Sequence, residues 1–182
     1  MRFCYADPPY PGMAYLYKGH PDYDGEVDHA ALIARIVAEF PDGWALSTAS
    51  TTLQQVLPLC PRDVRILAWV KPYTPFKRGV KLAYAWEPII ICGGRKSDSD
   101  YTLFDWFSAS VNIFGKGSKI AGQKPLAMCW WLFDCLGSIR GDELVDMFPG
   151  SGGVGRAWEQ YQRQMTLPTL NETGKQARLE VS

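Results

Sequence analysis

The chain has 182 residues, of which 47% are apolar and 21% charged, with a formal net charge of zero. That length supports one compact core and not comfortably two, and the composition excludes an intrinsically disordered chain. No apolar run reaches the roughly 20 residues needed to cross a bilayer. The five cysteines are scattered and odd in number, so they read as reduced thiols of a cytoplasmic protein. Cys129 and Cys135 have the nearest spacing to a metal motif, but no histidine follows them, and no metal is expected.

Met1-Arg2-Phe3-Cys4 enters a strand-like run directly, with no leader expected. Residues 2–6 form a short buried strand that stops at Asp7-Pro8-Pro9. Residues 10–27, rich in Tyr, Gly, Pro and Asp, read as a loop. Over 28–40, Leu32, Ile33, Ile36, Val37 and Phe40 share one helical face, with Asp28 as a cap and Pro41-Asp42-Gly43 as the stop. Strands are expected at 44–48, 64–70 and 86–92. Thr51-Thr52-Leu53-Gln54 looks like a capping box that opens a short helix to about Leu59. Residues 71–83 are a basic, Pro-containing loop. Residues 95–123 lack periodicity and read as an adaptable loop.

Pro125 then opens a helix at its first helical position, with Leu126, Cys129, Leu132, Phe133 and Leu136 on one face and Gly137 ending it. A strand over 143–147, a glycine turn over 148–155 and a helix over 154–163 follow. The last 18 residues are polar. Alternating strands and helices predict a largely parallel sheet with helices on both faces.

The zero net charge is unevenly spread. Residues 1–63 carry four basic and eight acidic side chains, whereas residues 71–124 carry nine basic and four acidic. The basic set is Lys71, Lys77, Arg78, Lys81, Arg95, Lys96, Lys116, Lys119 and Lys124. A local basic face is what phosphate contacts require, though the same clustering also fits a plain solvated surface.

Three segments carry chemistry. Asp7-Pro8-Pro9-Tyr10 puts a carboxylate at the carboxyl end of a strand, where open α/β folds bind ligands. The prolines stiffen the turn and hold neighbouring carbonyls outward. A carboxylate and a carbonyl so placed can accept hydrogen bonds from an exocyclic amine, and Tyr10 offers a ring for a planar base. A stiff Pro-rich turn is the plainer alternative. Asp146-Met147-Phe148-Pro149-Gly150-Ser151-Gly152-Gly153 is a strand, a glycine turn and a helix start in that order. Glycines admit a ligand close to the backbone, and the helix start presents N–H groups. It is neither a P-loop nor a full G-x-G-x-x-G match. Gly122-Gln123-Lys124-Pro125 taken alone is a good helix start.

Together these segments resemble the DNA amino-methyltransferases in the circular order where the catalytic motif precedes the cofactor motif. The resemblance covers roughly residues 2–163 and includes Trp69-Val70-Lys71-Pro72 and Trp86-Glu87-Pro88-Ile89. It implies a single-domain, Rossmann-like S-adenosylmethionine-dependent methyltransferase sheet over 1–168, reduced at its C-terminal end and followed by a polar tail over 169–182. Asp7 and the carbonyl of Pro8, with Pro9 stiffening the turn, would hold the target amine, and Tyr10 would stack on the base. Asp7, Lys124, Pro125, Asp146, Phe148, Gly150, Ser151 and Gly152 would bind S-adenosylmethionine. Lys71, Lys77, Arg78, Lys81, Arg95, Lys96, Lys116 and Lys119 would contact nucleic acid, with a short target-recognition insertion at about 95–121.

Asp-Pro-Pro-Tyr favours adenine N6 over cytosine N4. The motif is also similar to that of mRNA-adenosine methyltransferases, so RNA stays open beside duplex or single-stranded DNA. In the family a later strand ends in an acid that bonds the cofactor ribose. Here Met165-Thr166-Leu167-Pro168 stands in its place with no acid, leaving Glu172 or Glu180 as substitutes. A non-catalytic nucleic-acid-binding subunit and a protein or small-molecule amino-methyltransferase are the alternatives. Seven Trp in a short chain suggest an apolar surface and a homodimer.

Overall fold

The computed structural model describes residues 1–19, 23–74, 78–96, 102–110 and 124–165. Its strands are β1 (Arg2–Ala6), β2 (Gly43–Ser47), β3 (Arg65–Val70), β4 (Trp86–Gly93), β5 (Trp106–Ser108) and β6 (Glu143–Asp146). Its α-helices are α1 (His29–Glu39), α2 (Leu53–Val56), α3 (Leu126–Cys135) and α4 (Gly153–Gln164). The strands form one sheet in the order β5-β3-β4-β2-β1-β6.

Strand alternation sorts the core into two layers. Phe3 and Tyr5 of β1 face one way, with Ala45, Leu67, Trp69, Ile89 and Ile91, onto α3 and α4 through Met128, Leu132, Phe133, Ala157 and Tyr161. Cys4 and Ala6 face the other way, with Trp44, Leu46 and Ile90, onto α1 through Leu32, Ile33 and Ile36. The result is helices on both faces of a largely parallel, Rossmann-like sheet, as the sequence predicts.

β4 departs from that plan. It runs antiparallel to both neighbours, β2 and β3, while the other strands share one direction. Its amino end therefore lies at the carboxyl edge of the sheet. Pro88 is tolerated in this central strand because β2 has ended beside it. The Pro88 carbonyl still accepts from Thr48 N at 3.1 Å, just past Ser47, where no ladder donor is needed from Pro88 itself.

Local expectations are met unevenly. Asp28 does cap α1, accepting from Ala31 N at 3.0 Å. Gly137 ends α3 in the left-handed region at φ 65°, with its N–H on the Asp134 carbonyl and that of Ser138 on Phe133, a Schellman closure. The capping box at Thr51–Gln54 does not form, because the Thr52 hydroxyl turns back to the Ala49 carbonyl and the Thr48 hydroxyl. Pro125 is the cap of α3 and not its first helical residue. Val37 and Leu126 are exposed at the margins of their helical faces.

The segment expected to be a loop contains a strand, β5, which pairs with β3 in the register Ala68↔Trp106 to Val70↔Ser108. Met165 ends α4. The rest of the expected 165–168 strand, Glu172, Glu180 and the tail lie outside the described residues. No helix among the described residues is long and apolar enough to cross a membrane.

Candidate active site

β1 sits between β2 and β6, and it is where the strand order reverses. β2 follows β1 through α1 on one face, and β6 pairs on its other side after α3 has crossed the opposite face. In open α/β sheets the crevice outside such a reversal is the ligand site. Asp7 follows the end of β1, and Asp146 ends β6 in register with Tyr5. Met147 N donates to the Tyr5 carbonyl at 3.0 Å, which locks the two strand ends side by side.

Asp7 is half-buried, and Lys124 Nζ stands 3.2 Å from its Oδ2. The Tyr10 hydroxyl lies 3.4 Å from its Oδ1. Lys124 also pairs with Glu87 Oε1, and Lys71 Nζ donates to Glu87 Oε2 at 2.6 Å. Both ammonium groups sit over the Trp69 ring, at 4.5 Å from its centroid for Lys71 and 5.1 Å for Lys124. The Trp69 ring is itself fixed by Nε1–H donation to the Ala109 carbonyl at 2.9 Å. Strand register brings these groups together, since Glu87 lies directly across from Trp69 on β3.

Burial pushes the Asp7 carboxyl above its ordinary value, Lys124 opposes that rise and Glu87 adds to it. Burial would also raise Glu87, but Lys124 and Lys71 outweigh it and hold Glu87 at about 2. Burial lowers Lys124, but Asp7, Tyr5, Tyr10 and Glu87 together outweigh it and hold its ammonium well above the usual range.

The second half of the site is the turn after β6. Asp146 Oδ1 accepts from Phe148 N at 3.3 Å, whereas its buried Oδ2 has no hydrogen-bond partner among the described residues. Burial raises this carboxyl to about 6, with Asp7 adding to the rise. Gly150 and Gly152 take positive φ of 46° and 71°, which turns the chain sharply into α4. α4 begins without a side-chain cap. The Arg156 guanidinium folds back onto the Ser151 carbonyl at 2.8 Å and braces the turn.

Thus Asp7, Tyr10, Lys124, Asp146, Phe148, Gly150, Ser151 and Gly152 gather at one sheet edge, with buried Pro8 and Pro125 and half-buried Pro9 shaping it. Glu87 belongs to the same cluster. The signal for it was a carboxylate heading the apolar run Glu87–Cys92, because a charge buried in a strand requires partners.

The basic set does not stay together. Lys71 is consumed by Glu87. Arg95 lies at the opposite edge of the sheet, clamped to Asp142 at 2.8 and 2.9 Å and to the Gly137 carbonyl at 3.1 Å. Arg78, Lys81 and Lys96 are exposed. Lys77, Lys116 and Lys119, with Gly122 and Gln123, lie outside the described residues. The segments after β1 and between β3 and β4, which leave the sheet at the Asp7 edge, also expose Tyr15, Tyr17, Tyr73 and Leu82.

The architecture is thus a six-stranded Rossmann-like sheet with a crevice at its strand-order reversal. The crystal structure of the M1.HpyAVI–SAM complex has this fold, matching with a TM-score of 0.58 at 17% identity over 88% of this chain and 78% of that one. A second structure of M1.HpyAVI gives a TM-score of 0.58 at 14% identity over 88% and 76% of the two chains. At these identities the likeness is one of fold. No family model and no curated protein matches the chain.

Proposed function

We propose that the chain is an S-adenosylmethionine-dependent methyltransferase acting on the exocyclic amine of a base in DNA, adenine N6 in preference to cytosine N4. The observation that carries this reading is the pairing of Asp7-Pro8-Pro9-Tyr10 with the Asp146–Gly152 turn at the ends of two adjacent parallel strands.

The residues at the turn fit the cofactor. The buried, unpartnered Oδ2 of Asp146 is an acceptor suited to an ammonium group such as that of an amino acid. The turn itself leaves room: a Cβ at Gly150 would meet only the Phe148 carbonyl, at 3.9 Å, and one at Gly152 the flexible end of Arg156. Asp146, Phe148, Gly150, Ser151 and Gly152 would hold the cofactor, with Lys124 and Pro125 closing the side toward α3. When bound, S-adenosylmethionine supplies a methyl group on a sulfonium.

The chain's own work is alignment. Asp7 Oδ1 and the Pro8 carbonyl accept the two N–H bonds of the target amine and turn its lone pair toward the methyl carbon. Tyr10 and the exposed tyrosines of the rim offer faces for a base drawn from its stack, which costs a few kcal/mol in duplex DNA. Arg78 and Lys81, exposed on the segment that leaves the sheet at the Asp7 edge, supply cations for phosphates, whereas Lys96 follows Arg95 at the opposite edge.

The test is purified protein with methyl-labelled cofactor and DNA, followed by nucleoside analysis. Label on N6-methyladenine is expected, with cofactor binding visible by calorimetry. Binding without label on any DNA or RNA would sink the enzymatic reading and leave a nucleic-acid-binding subunit. Label on RNA alone would move the substrate.

A further inference from the structure

Four charged groups form one alternating chain from the interior to the crevice: Lys71, Glu87, Lys124 and Asp7. Their charges sum to zero. Three of them are largely buried, with side-chain exposures of 18% for Lys71, 9% for Glu87 and 6% for Lys124, while Asp7 is the open end at 27%. Burying such a chain is costly, and a well-packed apolar core would hold the sheet at least as firmly. Stability therefore does not account for it. Its geometry acts on the one member that reaches the crevice.

We propose that Glu87 is a positioning residue for Asp7. Pinned by Lys71, it anchors the Lys124 ammonium so that Lys124 engages Asp7 Oδ2 alone and leaves Oδ1 to accept the target amine. This deepens the function proposed above and rests on it.

The argument is one of reach and competition. An ammonium with three protons and a single buried partner would draw both carboxylate oxygens of Asp7 toward itself. Glu87 takes one of those protons, and the face of Trp69 bounds the other side at 5.1 Å. Lys71 prevents the opposite failure, in which an uncompensated Glu87 pulls Lys124 away from Asp7. Oδ1 then faces only the long 3.4 Å contact from the Tyr10 hydroxyl, which an incoming amine can share or replace.

The charged and titratable groups facing Asp7 are Lys124 at the head of α3, Cys129 on α3, Glu87 on β4, Tyr5 on β1, Tyr10 and Tyr17 on the segment after it, and Asp146 on β6. Two substitutions move this balance in opposite directions. Glu87→Gln removes a negative charge that raises Asp7 and frees Lys124 to pair fully with it, so Asp7 titrates lower, by about one pH unit. Lys71→Met leaves Glu87 to draw Lys124 inward, so Asp7 titrates higher by a similar amount.

Carbon-13 NMR of aspartate side-chain carboxyls reads the Asp7 midpoint directly in the full-length protein. Methyl transfer to random-sequence single-stranded and duplex DNA, at saturating S-adenosylmethionine, reads the consequence. For Glu87→Gln we expect a fall in kcat of about 10²-fold, with cofactor affinity and its KM unchanged, as for a misplaced catalytic group. An Asp7 midpoint that stays put in both variants overturns the proposal, and so does wild-type kcat in Glu87→Gln. If Glu87→Gln does not fold, Lys71→Met decides by the sign of its shift. A wild-type protein that transfers no methyl group fails the function proposed above, while the NMR titration still reports whether Glu87 positions Lys124.

Discussion

The two edges of the sheet hold half-buried aspartates in opposite conditions. At the amino edge, Asp142 accepts from the Met1 ammonium at 2.6 Å, from Ile139 N at 2.8 Å and, on both its oxygens, from Arg95 Nη2 at 2.8 and 2.9 Å. Burial alone would raise its carboxyl, but those donors outweigh burial and hold it below the usual range. At the carboxyl edge, Asp146 has one donor and a buried oxygen with none, and burial lifts it to about 6. Asp7 is likewise raised by burial. A saturated carboxylate ties segments together. An undersupplied one keeps acceptor capacity for a ligand, at a cost to the fold.

Three substitutions break or sharpen that contrast. Asp7→Ala has the largest expected effect, a loss of about 10³-fold in methyl transfer at saturating cofactor. Asp142→Ala, at the other edge, lowers stability by about 3 kcal/mol in urea unfolding, because it strands Arg95 and the N-terminal ammonium, and it leaves transfer per folded molecule unchanged. Asp146→Asn has the smallest effect on the fold and the opposite sign. It stabilises the ligand-free protein by about 1 kcal/mol at neutral pH, since Asp146 is partly exposed and its full shift is screened, while cofactor affinity falls about tenfold.

The pH dependence follows the same division. A raised carboxyl binds its proton more tightly in the folded state, so acid stabilises the fold from about pH 6 down to the unfolded value near about 4. Asp146→Asn removes part of that slope. The Asp142 contribution is present above the unfolded value and is lost as pH falls through its lower folded one, so Asp142→Ala flattens only the more acidic part of the curve. Denaturation midpoints across this range separate the two.

Much of this was legible in the residues. Helical spacing of Leu32, Ile33 and Ile36 and the punctuation at Asp28, Gly137 and Asp7-Pro8-Pro9 placed most elements within a residue or two. The cluster of Asp7, Lys124 and Asp146 followed from motif order. Three things were not legible, each for a physical reason. β5 is three residues long and is held by pairing with β3 and by the Trp131 Nε1–H donation to the Phe104 carbonyl, so no periodicity announces it. The reversal of β4 is a matter of topology, since an apolar run reads the same in either direction. The fate of Lys71 and Arg95 depends on which acid each meets in space, and a count of charges cannot tell a phosphate contact from an internal clamp.

The pairing of β1 with β6 has a consequence for how the chain is made. Met1 and Asp142, which close the start of that pairing, are 141 positions apart. During synthesis from the N-terminus, the strand that carries Asp7 has β2 on one side long before residues 143–146 exist to cover the other. Until then its second edge is an unpaired template, open to wrong partners. The crevice between Asp7 and Asp146 is therefore among the last features to assemble, and a nascent chain halted before β6 has Asp7 but no second wall beside it. Long-range closure of this kind is slow, so the crevice takes its shape only as the sheet is completed.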